Sequence, residues 1–277
     1  MNRIKGKVAI VTGGYGILCG SMAKTLAAAG AKVVVMGRSK EKAEAFANEI
    51  RQTGGEAMGV PADVLDKSSL IEAYKIITSS WGTCDILING AGGNHPEGIT
   101  DKPHLMEEDL ENESVKTFFD LDTVGFKHVF DLNLLGTLLP TQVFAKDMVG
   151  KSECSIVNIS SLSAIKPLTK VSAYSSAKAA ISNFTQWLAI HFSKTGIRVN
   201  AIAPGFFLAD QNRALLTNED GSLTPRGQQI INQTPLERFG NPEDLSSTLL
   251  WLIDPTSAFV TGVVVPVDGG FSAYAGV

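Results

Sequence analysis

Seven short segments, spread over the whole chain, consist almost entirely of apolar residues. Because they show little alternation between apolar and polar positions, they are typical of strands that are covered on both faces of a sheet. The predicted strands are Val8–Val11, Lys32–Met36, Ala57–Val60, Asp85–Asn89, Ser155–Ile159, Arg198–Ala203 and Val263–Val267.

Longer stretches of helical character separate these strands. The predicted helices are Ser21–Ala29, Lys40–Gln52, Ser68–Ser80, Phe126–Met148, Tyr174–Lys194 and Pro242–Ile253. Gly30, Gly54 and Gly196 fall where helix C-caps are expected. The alternation of strands and helices implies a parallel sheet with right-handed crossovers. We therefore predict a single α/β domain over residues 1–277, a Rossmann-type doubly wound parallel sheet of about seven strands with helices on both faces.

Two polar stretches, at about residues 93–124 and 206–240, interrupt this alternation. Long loops at the ligand-binding edge of such a sheet are often functional, so both are predicted to be lids over a substrate. Acidic residues crowd the first stretch, and we interpret them as the face of a solvated helix. They are Glu107, Glu108, Asp109, Glu111 and Glu113.

Composition and charge narrow the functional classes. The formal net charge of −4 over 277 residues gives no support to a nucleic-acid-binding face. No apolar run reaches the ~18 residues of a membrane span, and the N-terminus leads directly into a strand, so a cytoplasmic protein is expected. The three cysteines are widely spaced and the four histidines form no ligand-spaced pair, so neither a disulfide framework nor a metal site is predicted.

The turn between the first strand and the first helix is rich in glycine, with Gly13, Gly14, Gly16 and Gly20. Small residues let the backbone approach a pyrophosphate, and a helix N-terminus supplies N–H groups and a positive dipole. Glycine spacing alone is a weak signal. Its position in the first strand–helix unit nevertheless favours a dinucleotide site.

Tyr174 and Lys178 lie four residues apart, and Ser161 lies thirteen residues before the tyrosine. Residues at positions i and i+4 share one face of a helix, so the phenol and the ammonium can point into the same cleft. A positive charge beside a phenol favours its ionised form, which suits proton exchange with an alcohol or a carbonyl. Taken alone, such a pair would usually be a coincidence on a surface helix.

Further motifs occur in a fixed order along the chain, and with them it resembles the short-chain dehydrogenase/reductase family over essentially its whole length. The motifs are Thr12-Gly13 with Gly16 and Gly20, Asp63, Asn89-Gly90-Ala91-Gly92, Asn133, Ser161, Tyr174, Lys178 and Pro204-Gly205. The glycine turn departs from the family pattern, because Ile17 and Cys19 stand where a gapless reading expects glycines. Ala209 also replaces a threonine that the family often has after Pro204-Gly205.

The resemblance implies four catalytic roles. Tyr174 is the general acid in reduction and the general base in oxidation, and Lys178 lowers its pKa and binds the nicotinamide ribose. Ser161 polarises the substrate carbonyl, while Asn133 holds a water that relays protons to Lys178. Ser160 is expected to face the other side of its strand.

The resemblance also implies a nicotinamide cofactor, and commonly a homotetramer. The cofactor-binding residues are predicted to be Thr12, Gly13, Gly16, Ile17, Arg38, Ser39, Asp63, Val64, Asn89, Gly90, Ala91, Tyr174, Lys178, Pro204 and Gly205. Asp63 is expected to bond the adenine amino group, although it could instead cap a short turn. Asn89 could equally cap a strand end.

The end of the second predicted strand bears on the choice between NAD and NADP. Relatives that prefer NAD place a carboxylate there for the ribose 2′-hydroxyl, whereas this chain has Gly37 followed by Arg38 and Ser39. Arg38 could pair with a 2′-phosphate through charge-assisted hydrogen bonds. The sequence therefore predicts that both cofactors are accepted, with a modest preference for NADP(H).

The substrate is suggested by a closer resemblance, to the D-mannonate oxidoreductase (fructuronate reductase) branch of the family. Its residues are in AGGNHPEG, FDLNLLGTLLPTQVFAKDM, AISNFTQWLAIHF, APGFFLADQNRALL and VVVPVDGGFSAY. That branch implies a keto sugar acid, D-fructuronate, as the substrate. The predicted substrate-binding residues are Asn94, His95, Ser161, Gln211, Asn212 and Arg213. Other sugar or polyol reductases, including gluconate 5-dehydrogenases, ketoacyl reductases, and a catalytically inactive dinucleotide sensor remain as alternatives.

Overall fold

The parallel sheet is the frame of the molecule in the computed structural model, which describes residues 3–208, 213 and 215–276. Within these residues seven strands pair in parallel. They are β1 (Val8–Thr12), β2 (Lys32–Gly37), β3 (Glu56–Pro61), β4 (Ile86–Asn89), β5 (Cys154–Ile159), β6 (Ile197–Pro204) and β7 (Val264–Val267). The strand order is β3-β2-β1-β4-β5-β6-β7.

Both faces of the sheet are buried, which explains why the strands read as continuous apolar runs. In β1, Ala9 and Val11 belong to one core cluster, and Val8 and Ile10 belong to the other. The predicted doubly wound α/β fold is therefore confirmed.

Helices cover both faces of the sheet, and further helices lie around it. They are α1 (Ile17–Ala28), α2 (Lys40–Gln52), α3 (Lys67–Trp81), α4 (Thr123–Phe130), α5 (Gly136–Phe144), α6 (Ser172–His191), α7 (Pro225–Asn232) and α8 (Ser246–Ile253). Side chains of α1, α2 and α8 enter one core cluster, and side chains of α3, α5 and α6 enter the other.

The structure corrects several helix predictions; the one over Pro242–Ile253, for example, begins with a 3₁₀ turn at Pro242–Leu245. The helix expected over Phe126–Met148 is interrupted by a π-helical turn at Asp131–Leu135 and ends in a 3₁₀ turn at Ala145–Met148. The first helix begins at Ile17, not Ser21, because the glycine turn is shorter than expected. The sequence prediction missed α7 altogether, since its Gly-, Gln- and Asn-rich sequence gives a weak helical signal.

The acidic run is not the solvated helix that was expected. Glu107–Glu111 forms a 3₁₀ turn in which the carboxylate of Asp109 is buried. This carboxylate accepts a hydrogen bond from the backbone N–H of Met106 at 3.0 Å and pairs with the ammonium of Lys102. The other acidic side chains of the run are exposed, so one inward-facing aspartate holds the turn in place.

The strand order fixes where a ligand can bind. Because β1 lies between β2 and β4, the direction of winding reverses at β1 and β4, and their carboxyl ends border a crevice. Among the residues described, no helix is long and apolar enough to cross a membrane.

Candidate active site

One face of α6 carries Tyr174 and Lys178 into the crevice at the end of β5. The Lys178 side chain is almost completely buried, and its Nζ lies 5.5 Å from the centroid of the Tyr174 ring. The same ammonium donates a hydrogen bond of 2.8 Å to the carbonyl oxygen of Ile159, the last residue of β5. The helix and the strand end therefore hold the two side chains of the predicted pair together.

Burial controls the protonation of this pair. Desolvation lowers the pKa of Lys178 to about 8, although the nearby Cys19 thiol opposes this shift. Burial raises the pKa of the Cys19 thiol to about 11. Burial also raises the pKa of the Tyr174 hydroxyl, and a hydrogen bond with Ser161 partly offsets that rise. The net direction is opposite to the lowering expected from the sequence, because desolvation of the buried phenol is the largest influence on its pKa.

Ser161 lies beyond the end of β5 and is 8% exposed. Its Oγ accepts hydrogen bonds from the backbone N–H of Ser163 at 3.1 Å and from the Ser163 hydroxyl at 3.0 Å. These bonds cap a short 3₁₀ turn and fix the direction of the Ser161 hydroxyl. The Oγ of Ser160 instead lies 2.7 Å from the Oγ of Ser182, so the two adjacent serines point to different surroundings, as predicted.

Asn133 occupies the π-helical turn and is wholly buried. Its Nδ2 donates hydrogen bonds of 2.7 Å to the carbonyls of Gly93 and Val129, and its Oδ1 accepts from the Gly93 N–H at 3.3 Å. A Cβ added to Gly92 would lie 2.6 Å from this Oδ1 and 3.2 Å from the Nζ of Lys178. Asn133 and Lys178 therefore border the same small space beside Gly92. π-Helical turns occur frequently at functional sites.

The glycine turn and the end of β4 form a backbone cradle that suits a pyrophosphate. The Oγ1 of Thr12 accepts hydrogen bonds from the N–H groups of Gly90 and Ala91 at 3.0 and 3.1 Å, which joins the two strand ends. Gly13 has a φ of 66°, and a Cβ there would lie 3.2 Å from the backbone of Ala91. Gly16 caps α1 without a side chain, and the first turn of α1 holds no acidic residue. The N–H groups and the positive end of this helix are thus suited to an anionic group, and the cradle fits a dinucleotide.

Tyr15 is a residue that the sequence reasoning missed. Its ring covers Gly37 at the end of β2, where an added Cβ would overlap the ring. Its hydroxyl accepts a hydrogen bond of 3.4 Å from the backbone N–H of Ser39. A larger residue at position 37 would therefore require the Tyr15 ring to move.

The two residues that follow Gly37 differ in whether their side chains already make hydrogen bonds. The Ser39 hydroxyl accepts from the N–H of Lys42 at 3.2 Å and donates to Glu41 at 2.9 Å, so it already caps α2. Arg38 is exposed, and its guanidinium makes no hydrogen bond or ion pair with any residue that the structure describes.

The remaining predicted cofactor residues lie along the crevice. Asp63 accepts a hydrogen bond from the N–H of Leu65 at 2.9 Å, so it does cap its own turn, the alternative considered for it. Asn89 is buried and donates to Thr141 and Asn158, both at 2.9 Å, and thereby ties β4 to α5 and β5. Val64 is buried against Gly136.

The Pro204-Gly205 pair lies where β6 ends. The N–H of Gly205 donates to the carbonyl of Val267 at 2.9 Å, and a Cβ at Gly205 would lie 2.6 Å from the backbone of Asp268. The next residue, Phe206, contacts Phe271 with ring centroids 5.2 Å apart. The C-terminal segment thus packs against the chain just beyond the end of β6, a contact that the sequence did not indicate.

The predicted substrate residues fall into two groups. Asn94 is exposed, and the Nδ1 of His95 accepts from the N–H of Glu97 at 3.2 Å while its ring lies 5.2 Å from that of His128. Arg213 is exposed, and its carbonyl accepts from the N–H of Thr217 at 2.7 Å. Gln211 and Asn212 lie outside the described residues, as does Ala209.

Comparisons with known proteins agree with this geometry. The family model for short chain dehydrogenases matches residues 7–220. The "Uncharacterized oxidoreductase UxuB" of Bacillus subtilis is 54% identical over 275 residues, which cover 99% of this chain and 98% of the relative.

Two solved structures that are similar to this chain contain a bound nicotinamide cofactor. A "putative D-Mannonate oxidoreductase" from Haemophilus influenza, with bound NAD, superposes with a TM-score of 0.95 at 53% identity, covering 100% of this chain and 98% of its own. A gluconate 5-dehydrogenase from Burkholderia cenocepacia, in complex with NADP and tartrate, has a TM-score of 0.82 at 26% identity and covers 99% of both chains.

Proposed function

This chain belongs to the short-chain dehydrogenase family and is an NAD(P)-dependent oxidoreductase, and we propose that it interconverts a keto sugar acid and its hydroxy acid. The pair that fits best is D-fructuronate and D-mannonate. The observation that carries this choice is the full-length likeness, at 53% identity, to a structure named for D-mannonate oxidation. The polar residues bordering the crevice suit a hydroxylated, anionic ligand.

The chemistry of the proposed reaction requires few groups from the protein. When bound, the nicotinamide supplies or accepts the hydride. In reduction, Ser161 holds the carbonyl oxygen and Tyr174 gives its proton to that oxygen as negative charge develops. Because burial raises the pKa of Tyr174, its hydroxyl is protonated at neutral pH and ready to act as the acid. Lys178, with a pKa of about 8, can return a proton to Tyr174 through the space beside Asn133.

His95 is suited to contact a sugar hydroxyl or carboxylate. Since its Nδ1 accepts a hydrogen bond from the N–H of Glu97, the neutral ring carries its proton on Nε2. That N–H is a donor of fixed direction. We assign it, together with Asn94, to the polar end of the substrate.

The carboxylate of the substrate gives the proposal a direct test. We expect kcat/KM for D-fructuronate to exceed that for D-fructose by about 10- to 100-fold, since a charge-assisted hydrogen bond contributes roughly 1.5–3 kcal/mol. Arg213→Ala should raise KM for the acid and leave the neutral ketose unaffected. Steady-state rates with both sugars measure this, and equal efficiency with the two in the wild-type enzyme would exclude a sugar-acid reductase.

A second candidate is a gluconate 5-dehydrogenase or another polyol oxidoreductase, favoured by the likeness to a gluconate 5-dehydrogenase that holds tartrate. Such an enzyme would share Tyr174, Lys178 and Ser161. A panel of keto sugar acids, polyols and ketoacyl thioesters, each assayed with both cofactors, separates the candidates. A catalytically inactive sensor would turn over no member of the panel.

Cofactor choice follows from Arg38. The guanidinium is exposed beside Gly37, so the end of β2 itself carries no carboxylate, and the Glu41 carboxylate is already bonded to Ser39 at 2.9 Å. We therefore infer that both cofactors are accepted with a modest preference for NADP(H). Arg38→Ala is expected to lower kcat/KM with NADPH by about tenfold, the value of one charge-assisted contact, and to change NADH kinetics little. A wild-type preference for NADH that survives Arg38→Ala would show that Arg38 does not contact the cofactor.

We also infer a homotetramer in the cytoplasm. The exposed apolar side chains Trp187 and Ile190 on α6, 54% and 76% exposed, would be covered by a second subunit. Cys19, Cys84 and Cys154 are buried free thiols, which is compatible with a reducing compartment. Sedimentation as a monomer at micromolar concentration would contradict the tetramer, and fractionation of the source cells checks the location.

A further inference from the structure

We propose that Lys166 supplies a fixed cation to which the carboxylate of the substrate binds. The inference rests on the proposed function, because it presupposes an anionic substrate. Lys166 lies one turn beyond Ser161, and its backbone N–H donates to the carbonyl of Leu162 at 2.9 Å. The hydroxyl of Ser161 caps the same short turn. The turn therefore fixes the start of the Lys166 side chain relative to the group that holds the carbonyl oxygen.

The ammonium of Lys166 has no acidic partner among the residues described. It donates one hydrogen bond of 2.8 Å to the carbonyl oxygen of Tyr274 and lies 5.5 Å from the centroid of the Phe271 ring. Asp268, the acidic residue of the C-terminal segment, does not serve it. Its two oxygens accept from the N–H groups of Gly270 and Ser272, both at 2.9 Å.

Two other cations in loops of the described chain are each paired with a carboxylate. Arg238 contacts Asp244 at 2.6 Å, and Lys116 contacts Glu97 at 2.8 Å. Lys166 is half-buried, so its charge is partly desolvated without an anion to offset the cost. Since an ammonium has three N–H donors and one is used, it retains capacity for a carboxylate.

Lys166 lies beyond the carboxyl ends of β5 and β6, between two parts of the chain. On one side, Lys166 follows the turn after β5 that holds Ser161. On the other side, its ammonium lies near Phe271, whose ring contacts Phe206 beyond the end of β6. Lys166 thus joins the turn that holds Ser161 to the C-terminal segment that packs beyond the end of β6. A carboxylate a few bonds from the ketone that Ser161 holds would come within reach of the ammonium.

An alternative role for Lys166 is to tether the C-terminal segment through Tyr274, with no contact to substrate. The two roles predict different kinetics. If Lys166 only holds the C-terminal segment, its removal would disturb that segment for every substrate and would lower kcat. Loss of a carboxylate anchor would raise KM for the acid alone.

The test compares Lys166→Met, Lys166→Arg and the matched control Lys170→Met, which removes a charge from the same loop. Rates are measured with D-fructuronate and D-fructose, with thermal unfolding as a check on folding. In Lys166→Met we expect KM for the acid to rise by about tenfold or more, kcat to stay within about twofold, and kcat/KM for fructose to be unchanged. Lys166→Arg should restore most of the affinity for the acid.

The remaining outcomes of this experiment would contradict either the role of Lys166 or the proposed function. An equal loss for both sugars, or a fall in kcat at saturating acid, would show a tether and overturn the inference. An equal effect of Lys170→Met would attribute the preference to the net charge of the loop, and so would also overturn it. If the wild-type enzyme does not distinguish acid from ketose, the proposed function itself is wrong. If it does distinguish them and Lys166→Met retains the difference, only the role of Lys166 is wrong.

Discussion

Tyr174→Phe is expected to lower kcat by about 100-fold or more, because positioned acid–base groups contribute roughly 10²–10⁴-fold to proton transfer. The phenylalanine retains the ring that packs against the small core cluster of Val129, Ala173 and Ala177. It removes the hydroxyl that pairs with Ser161. Cofactor binding and the thermal unfolding temperature should therefore change little.

Steady-state kinetics together with a cofactor titration measure this effect. Ser160→Ala and Ser161→Ala provide a matched pair of controls, since Ser160 contacts Ser182 and Ser161 borders Tyr174. Only the second should lower turnover. A Tyr174→Phe variant with near-normal turnover would remove Tyr174 from its role as the proton donor.

The raised pKa of Tyr174 gives the two reaction directions different pH dependence. Reduction needs the protonated hydroxyl, which burial favours, so its rate should hold through neutral pH. Oxidation needs the ionised hydroxyl, so its rate should rise as the pH increases above neutrality.

The strands and most helices could be predicted from the sequence, because the apolar pattern of each element can be recognised within its own segment. The break at Asn133 could not. The side chain of Asn133 bonds the carbonyl of Val129 on its own helix and both backbone groups of Gly93 in a distant loop. Such a contact depends on the folded arrangement of two elements, and a helical period does not reveal it.

The candidate site divides in the same way. The i, i+4 rule places Tyr174 and Lys178 together, since it needs only a helix. The cover that Tyr15 forms over Gly37 depends on how the shortened glycine turn packs against β2. The C-terminal segment that meets Lys166 comes from a part of the chain more than 100 residues further on, which no local pattern connects to Ser161.

Electrostatic properties were the least accessible to sequence reasoning. The sequence suggested that Lys178 would lower the pKa of Tyr174, but both groups are buried, and desolvation is the largest influence on each. Desolvation acts on the charged form of either group, so it raises the pKa of the phenol and lowers that of the ammonium.

Lys178→Met is expected to lower kcat by about 100-fold or more, since it removes the group that returns protons to Tyr174 and is predicted to bind the nicotinamide ribose. KM for the cofactor should rise for the second reason. The methionine keeps most of the volume of the buried stem, so the core around α6 should remain packed. Kinetics with both cofactors measure the two effects separately.

The same variant should be more stable than the wild type at neutral pH, which distinguishes a functional lysine from a structural one. The pKa of Lys178 is about 8 in the folded protein, against 10.5 for an exposed lysine, so below pH 8 both states are protonated and the cost of burying the charge is present in full. Between those values the unfolded state binds more protons, and the wild type regains stability as the pH rises. We therefore expect the free energy of unfolding of Lys178→Met to exceed that of the wild type by about 1–2 kcal/mol at pH 7. This figure already subtracts the hydrogen bond to Ile159 that the variant loses. The difference should disappear near pH 10.5. Thermal unfolding of the cofactor-free proteins across this range is the measurement, and a lower unfolding temperature for the variant at pH 7 would show that Lys178 serves mainly to hold the fold.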